Sequence, residues 1–395
     1  MTTWLALTAL VMARALSGSR EERRFVVASY VAALALLALA SIEALATAAP
    51  MFKSDEIYYL EGARQSVAYS VDPDRWLWFV VNRLLTEWDF GLNGFALKLI
   101  NIPLFVATCL SLNGLVKRPT IMLNLWLLMP YYVWISTFNF RDTLVLLLTV
   151  TVFASFFNGS RILLPGVSLL CLFLLRPAMA ALNVFLWAVL MLRDASRAQR
   201  LAALRLGLLI ALGIGAAAVS WSTIAPRINQ TIAWVAFTTG EGKAERLQEF
   251  DAEAVDPTTA RGFGIGLARY VLAPLPTSLL LRAADGGSST WGIVDDLVRA
   301  VHQTLYLLAL AVLVLRPVLA WRGLAAAPLA LRLLVLSLAA YAPVYSLHLF
   351  GAVHSRSKIP FQLAVFIVVA LTFPPHRDSV SEQDGGRPLP VPVVN

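Results

Sequence analysis

Two adjacent carboxylates, Asp55 and Glu56, open the segment SDEIYYLEGAR, which directly follows a long apolar stretch. A carboxylate near a substrate hydroxyl can act as a general base, so both residues are candidate catalytic groups. Tyr58 and Tyr59 lie one turn further on and would offer an aromatic surface for a sugar, with Arg64 as a further candidate for substrate binding. The ordinary alternative is that the two acids only complement the positive end of a helix.

Two further charged sites lie between apolar stretches, where charged groups are costly and are functional candidates by default. One is Arg141 with Asp142 in NFRDTLVLLL, and the other is Arg176 in LLRP. A planar guanidinium is well suited to bind phosphate oxygens. Alternatively, Arg141 and Asp142 pair with each other while Asp142 caps the next helix, and Arg176 extends to the membrane interface.

The segment HSRSKIPF contains three basic residues, His354, Arg356 and Lys358, in a short loop that we place outside the cytoplasm. Because basic residues are normally enriched on the cytoplasmic side, three of them here require a reason. Binding of an anionic, lipid-linked phosphate is one such reason. General attraction to lipid head groups is the alternative.

Composition places the chain in the membrane. Of 395 residues, 58% are hydrophobic and 14% are charged, against about 25% charged in an ordinary soluble protein. This excludes a soluble enzyme, a disordered chain, a coiled coil and an outer-membrane barrel. Two cysteines within apolar runs exclude a disulfide framework, and the four histidines show no ligand spacing, so we predict no metal site and no cofactor, and leave a requirement for a divalent metal open.

Continuous apolar runs predict an all-α fold, a polytopic transmembrane helix bundle of about 10–12 spans. Residues 1–373 would form this single domain, and residues 374–395 a disordered cytoplasmic tail. The eleven candidate spans are 2–16, 25–48, 95–115, 120–138, 143–157, 162–175, 178–192, 206–225, 301–315, 333–350 and 361–373.

The distribution of Lys and Arg predicts that two long loops, 49–94 and 226–300, lie in the periplasm. The first carries seven acids and four bases, and the second nine acids and seven bases. Within the first, helical spacing predicts an amphipathic helix whose membrane-facing side contains Trp76, Phe79, Val80, Leu84 and Trp88. Within the second, the apolar stretch 262–281 contains two prolines, and we predict an interfacial or re-entrant piece there.

These features together resemble a known group of enzymes. The acidic pair with tyrosines in the first long loop, followed by an amphipathic helix and a bundle of spans, resembles the polytopic glycosyltransferases of the GT-C superfamily. The segments WLWFVVNRLLTEWDFGLNGFALKLINIPLFVATCLSLNGLVKR, FRDTLVLLL, LLRP and RSKIPF are also similar to bacterial exopolysaccharide and O-antigen polymerases of the Wzy and EpsG-like kind.

The resemblance implies a multi-pass glycosyltransferase of the bacterial inner membrane that uses polyprenyl-linked saccharides. Asp55, with Glu56 as its neighbour, would act as base or orient the acceptor. Arg141, Arg176 and Arg356 would hold the phosphate or diphosphate, and Lys358 would assist. The implied partners are the lipid-linked donor, a glycan acceptor, membrane lipids and other polysaccharide export proteins, but no nucleic acid. Since the large soluble outer domain of many members is absent, a glycan or lipid acceptor is favoured over a protein acceptor.

Two other functions fit the same residues. In a transporter or flippase for a lipid-linked or anionic molecule, the arginines would line a path, with polar residues on both sides of the membrane midplane. In a non-catalytic scaffold, the charged groups would have no need to converge. The position of Asp55 relative to the arginines therefore tests the scaffold, whereas polar residues on both sides of the midplane would favour the transporter.

Overall fold

The computed structural model describes residues 2–47, 54–65, 75–88, 95–116, 129–156, 162–194, 260–284, 290–347 and 355–373. All regular structure in these ranges is helical, which confirms the all-α prediction. The helices, numbered here in chain order, are α1 Thr2–Leu16, α2 Arg20–Thr47, α3 Ser54–Arg64, α4 Trp76–Trp88, α5 Phe95–Val116, α6 Pro130–Ile135, α7 Arg141–Ala154, α8 Leu163–Leu175, α9 Pro177–Asp194, α10 Ala260–Leu272, α11 Pro276–Ala284, α12 Thr290–Leu315, α13 Pro317–Ala326, α14 Leu329–Ala339, α15 Tyr341–Leu347 and α16 Ser355–Thr372.

Two segments of the described chain are long and apolar enough to cross a membrane, namely Gly292–Leu315 and Leu329–Ser346. A third crossing results if α10 and α11, which meet at a bend of 59°, count as one broken span. Four further apolar helices are shorter; one of them, α8, has 13 residues, or about 20 Å, against about 30 Å of hydrocarbon. The prediction of about 10–12 spans is therefore not confirmed, and the predicted span 206–225 and the tail 374–395 lie outside the described residues.

Prolines set the starts of several helices. The helices α6, α9, α11 and α13 each begin at a proline, whose fixed backbone angle suits the first helical position and whose missing N–H is not needed there. The chain breaks between α8 and α9 just before Pro177. Arg176, which lies at this break, has a non-helical backbone, with φ −152° and ψ 82°. The LLRP segment thus forms two helices that meet at the arginine.

The amphipathic helix predicted in the first long loop is present as α4. Trp78, Phe79, Asn82 and Leu85 are buried, whereas Leu84 is 41% exposed. Helix α4 packs against α3 and α5, so the buried face meets protein. Of the residues predicted to face the membrane, Phe79 is buried in protein and Leu84 is exposed, so contact of that side with the membrane stays a prediction.

One continuous core joins most of the helices. Helix α5 packs on α7, α7 packs on α8, and α16 packs on α12, α13 and α14. Helix α3 lies against α4, and α10 lies against α15. This packing brings the first turn of α3, the first turn of α7, the junction of α8 and α9, and the first turn of α16 to one place, where the charged residues meet.

Candidate functional site

Five charged residues, predicted from separate segments, form what we call the charge cluster: Asp55, Arg141, Asp142, Arg176 and Arg356. The Arg356 guanidinium bridges two carboxylates, since Nη2 donates to Asp55 Oδ2 and Nε lies 3.7 Å from Asp142 Oδ2. On its other side, Asp142 Oδ1 lies 2.5 Å from Arg176 Nη2. These contacts join residues up to 301 positions apart in the chain.

Neutral groups also hold the three arginines of the charge cluster. Arg141 Nη1 donates to the Leu175 carbonyl oxygen at 3.3 Å, next to Arg176. Arg176 Nη1 donates to the hydroxyl of Tyr345, and Arg356 lies over the ring of Phe140 with its Cζ 4.4 Å from the centroid. A desolvated guanidinium over an aromatic face is attracted to it. The cluster is therefore fixed from several helices at once.

The electrostatics distinguish the two carboxylates. Burial would raise the pKa of Asp142, but Arg176, Arg356 and Arg141 together lower that pKa below its ordinary value. The side chain of Asp142 is only 17% exposed, whereas that of Asp55 is 45% exposed and contacts one arginine. Asp142 therefore remains a fixed anion, and Asp55 is the carboxylate that an external molecule reaches more readily.

The pKa values of the arginines also reflect this environment. Burial, with the nearby charge of Arg176, lowers the pKa of Arg141. For Arg356 burial acts in the same direction, but Asp142 and Asp55 outweigh it and raise the pKa. Three arginines against two aspartates leave the cluster with a formal charge of +1, which suits an anionic ligand.

Glu56 does not belong to the charge cluster. Its side chain is buried, and Lys98 Nζ lies 2.8 Å and 2.9 Å from its two carboxylate oxygens. The backbone N–H of Asn139 also donates to Glu56 Oε1 at 2.7 Å. Glu56 thus ties α3 to α5 and to the segment just before Arg141, a positioning contact that leaves no carboxylate edge open for a substrate proton.

A second polar clamp holds the same segment from α5. Asn101 Nδ2 donates to the carbonyl oxygens of Phe138 and Phe140, at 2.5 Å and 2.8 Å. Because these residues directly precede α7, Asn101 fixes where the Arg141–Asp142 pair begins. Together the Glu56 and Asn101 contacts fix the backbone on which one side of the charge cluster is built.

The tyrosines of the first segment differ in exposure. Tyr59 is buried, and burial raises its pKa while nearby Arg141 lowers it. Tyr58 is 43% exposed, with its ring 5.7 Å from that of Phe79 and 5.1 Å from Arg75 Cζ. Tyr58 thus offers an accessible aromatic face near the cluster, whereas Arg64 is exposed at the last turn of α3, away from the contacts that define the cluster.

Lys358 does not contribute a charge to the cluster, contrary to the prediction that it assists in phosphate binding. Its Nζ donates to the carbonyl oxygens of Arg269 and Ala273, at 3.0 Å and 2.5 Å, and lies 5.3 Å from the ring centroid of Tyr270. Carbonyls at a helix end lack partners within the helix, and the Lys358 amine satisfies two of them by hydrogen bonds. Lys358 therefore anchors the end of α10 to α16, while His354 lies outside the described residues.

Several contributors to the site were missed from the sequence. Tyr345 contacts Arg176, and its ring stacks on that of Tyr270 at 5.9 Å, which links α10 to the charge cluster. Lys98 is the buried partner of Glu56. A lysine inside the apolar run FALKLINIP is unusual enough to have marked it, because a charge at such a position needs a partner. No comparable signal singled out Tyr345.

A small cavity lies beside the charge cluster, lined by Asp142, Arg176 and Arg356 together with Thr143 and Tyr341. Its volume is about 10 Å³, room for about one water. Thr143 Oγ1 and Arg176 Nε are buried and have no hydrogen-bond partner in the described part of the chain. Buried polar groups normally have partners, so these atoms favour occupation of the cavity by a polar molecule.

The described residues contain no group of three or more His, Cys, Asp or Glu side chains placed to hold a metal ion. The arginines that alternate with the aspartates already neutralise them. In this part of the chain, the chemistry that the geometry offers is therefore anion binding by guanidinium groups, combined with proton transfer to a carboxylate.

The chain was also compared with known proteins. No family model, no curated protein and no solved structure matches it. The resemblance to GT-C and polysaccharide-polymerase enzymes therefore remains a prediction that depends on short sequence motifs.

Proposed function

We propose that this protein is an integral, multi-pass glycosyltransferase or polysaccharide polymerase of the bacterial inner membrane. It would join polyprenyl-phosphate- or diphosphate-linked saccharides on the periplasmic face during exopolysaccharide or O-antigen synthesis. The observation that carries the proposal is the charge cluster, in which Asp55, Asp142 and three arginines from four separate segments meet.

The first argument is the cost of assembling these charges. Desolvating several ionic groups is unfavourable, and replacing a buried ion pair by apolar residues is often neutral or stabilising. A stability role alone therefore gives little reason to gather three arginines and two aspartates among apolar helices. Binding of a mobile anion gives a direct reason, since the cluster has a formal charge of +1 and, among the described residues, Thr143 Oγ1 and Arg176 Nε beside the cavity have no hydrogen-bond partner.

The second argument is the chemistry of transfer from a lipid phosphate. An acceptor hydroxyl attacks the anomeric carbon of the donor sugar, a new glycosidic C–O bond forms, and the C–O bond to the phosphate breaks. Negative charge then develops on the departing phosphate, where fixed Arg176 and Arg356 would stabilise it in a water-poor site. Asp55 would accept the proton of the acceptor hydroxyl.

Asp142 has a different role in this scheme. Its pKa is lowered by Arg176, Arg356 and Arg141 against the opposing effect of burial, which makes it a weak base. It would instead hold Arg176 and Arg356 at the spacing that a phosphate requires. The exposed Tyr58 would provide the face on which a sugar ring packs.

A strain that lacks the gene tests the proposal in the cell. We expect it to accumulate polyprenyl-linked oligosaccharide and to lose long polysaccharide, and the wild-type gene to reverse both effects. Arg356→Ala should fail to restore polymer, while Arg83→Ala should restore it, since Arg83 is exposed and paired with Glu87 outside the cluster. Full polymer from Arg356→Ala at normal protein level would contradict the proposal.

A transport function remains a second candidate because of a buried polar chain in the span Gly292–Leu315. His302 Nε2 lies 2.9 Å from Gln362 Oε1, and Gln362 Nε2 donates to Gln303 Oε1 at 3.1 Å. Such a chain suits a path through the helices. Reconstituted protein that moves a fluorescent lipid-linked saccharide between leaflets without forming a glycosidic bond would favour this function.

A further inference from the structure

A second cavity lies apart from the charge cluster, between helices α1, α5 and α7. Its volume is about 350 Å³, within the range of small-molecule sites. It is an open groove rather than a sealed void, and Leu10 on its edge is 67% exposed. The apolar side chains along it include Leu7, Leu10, Val11, Leu104, Leu110 and Leu147.

One end of the groove carries a positive charge. Arg14, in the last turn of α1, is a lining residue, and its side chain is 54% exposed. In the described part of the chain its ion-pair partner is Glu22, at 3.9 Å. Glu22 already accepts hydrogen bonds from Asn113 Nδ2 at 2.6 Å and from the Ser19 backbone at 3.2 Å, so its contact with Arg14 is the loosest of the three.

The surroundings of Arg14 add to this charge. The turn into α2 and its first residues carry three exposed arginines, and residues 14–24 together contain four arginines and two glutamates, a formal charge of +2. The distribution of basic residues predicts that this end faces the cytoplasm. Anionic lipids of that leaflet attract basic groups near the membrane surface.

We propose that the groove binds one acyl chain of an anionic phospholipid whose phosphate is held by Arg14. The apolar walls bind the chain whatever the head group, and Arg14 confers the preference for a negative one. None of the five residues of the charge cluster lines the groove, so the proposal is independent of the proposed function.

The position of the groove argues against the lipid tail of a saccharide donor as its occupant. Asn101, near the start of α5, contacts Phe140 beside the charge cluster. Asn113 lies twelve residues, or about 18 Å, further along α5 and contacts Glu22, the ion-pair partner of Arg14. A phosphate at Arg14 therefore cannot be the phosphate held by the charge cluster. A structural phospholipid at the opposite membrane surface fits this separation.

Native mass spectrometry of the purified full-length protein, exchanged into equal amounts of phosphatidylglycerol and phosphatidylcholine, tests the proposal. We expect the wild-type protein to retain phosphatidylglycerol over phosphatidylcholine by about fivefold, the effect of one basic group near a membrane surface. Arg14→Gln should abolish this preference but keep lipid bound. Ala107→Trp, which fills the groove from α5, should reduce retention of both lipids.

The matched control is Arg24→Gln, because Arg24 is exposed in the same basic region but does not line the groove. It should keep the wild-type preference. The proposal would be overturned if Arg14→Gln kept the wild-type preference for phosphatidylglycerol and Ala107→Trp retained as much lipid as the wild type. Recovery of polyprenyl phosphate in place of phospholipid would also overturn it. A change of oligomeric state in Ala107→Trp would instead identify a second copy of the chain as the occupant. If Ala107→Trp loses cooperative unfolding, Arg14→Gln alone decides.

Discussion

Asp55 and Asp142 contact the same arginine but differ in what surrounds them, and this difference assigns them different roles. Asp55 is nearly half exposed and meets Arg356, whereas Asp142 is largely buried between Arg356 and Arg176. A proton acceptor must be reached by the substrate, and a positioning group must be held in place. The two carboxylates can therefore be separated by experiment.

Asp55→Asn is expected to reduce glycosyl transfer by about 10²–10⁴-fold, the usual effect of losing a general base. Since Asp55 is partly exposed, the thermal unfolding midpoint in detergent should remain close to that of the wild type. Transfer from a polyprenyl-linked oligosaccharide by purified protein measures the first effect. A transfer rate within twofold of wild type would remove Asp55 from the mechanism.

Asp142→Asn is expected to act mainly on stability. It removes the negative charge shared by Arg176 and Arg356, and loss of a buried partner in such a network costs about 1–3 kcal/mol of the free energy of unfolding. The midpoint of thermal unfolding should fall, and more than in Asp55→Asn. Equal stability of the two variants would show that Asp142 does not hold the arginines together.

For single residues, the sequence identified all five members of the charge cluster and suggested that they lie on one side, but not which side chains contact one another. Charged residues at the ends of apolar stretches marked Asp55, Arg141, Asp142, Arg176 and Arg356, because such positions are costly. Their meeting depends on packing between distant helices, which short motifs do not encode. Glu56 was wrongly grouped with Asp55, since neighbours on a helix point about 100° apart, and here one faces the cluster while the other faces Lys98.

Between elements, the buried pair of Lys98 and Glu56 connects α5 to α3. Lys98→Met leaves the Glu56 carboxylate buried without its charge partner and is expected to destabilise the protein by about 3–5 kcal/mol. The double variant Lys98→Met with Glu56→Gln should recover part of the loss, because no buried charge remains. Thermal unfolding of the single and double variants measures this coupling, and additive losses would contradict it.

The contact of Lys358, on α16, with the end of α10 should make the free energy of unfolding depend on pH. Burial, with some contribution from Arg269, lowers the pKa of Lys358 from 10.5 to about 8. Between these values the unfolded chain binds a proton that the folded protein lacks, so the free energy of unfolding rises as pH increases through this window. Below pH 8 the folded protein carries the full cost of the buried charge.

Comparison with Lys358→Met, which lacks the titrating group, isolates this effect. From pH 8 to 10.5, the stability of the wild type should improve by up to about 3 kcal/mol relative to the variant. Thermal unfolding midpoints across this range provide the measurement. Parallel curves for the two proteins would mean that Lys358 does not change its pKa on folding.

The elements themselves show where sequence reasoning succeeds and where it fails. Helical spacing predicted α4, and Pro177 allowed either one kinked helix or two helices around Arg176; the structure has the two helices α8 and α9. The side of α4 that packs against protein includes the polar Asn82, which hydrophobic periodicity alone does not place in a core. Lys358 was misassigned for a related reason, since the carbonyls that it meets belong to a helix 85 or more residues away.

At the scale of the whole molecule, the orientation in the membrane can be tested directly. Arg64→Cys and Arg322→Cys place a thiol at exposed positions that the basic-residue pattern assigns to opposite sides. In intact spheroplasts, an impermeant maleimide should label the first and reach the second only after permeabilisation. Both variants are made in a protein that carries Cys109→Ala and Cys171→Ala, so that the introduced thiol is the one that reacts. Labelling of both positions from outside would contradict the predicted orientation.

The number of spans was harder to predict than the class of fold. Hydrophobic content alone identified an apolar helical protein, but the apolar runs were interrupted by prolines and charges that divide them into short helices, such as α8 and α9. In the described ranges, two segments are long and apolar enough to cross a membrane, or three if the bent pair α10 and α11 counts as one span. A count of runs cannot tell a full crossing from a helix that ends within the protein.

The size of the cavity beside the charge cluster has a consequence for how ligands enter. A space of about 10 Å³ admits a water but not a phosphate, and carboxylates already occupy the binding faces of the arginines. An incoming anion must therefore compete with tethered anions of the protein, which serve as built-in counterions until they are displaced. Asp55, the more accessible of the two, is the natural one to yield, and its release at that moment would free the same group to take up a proton.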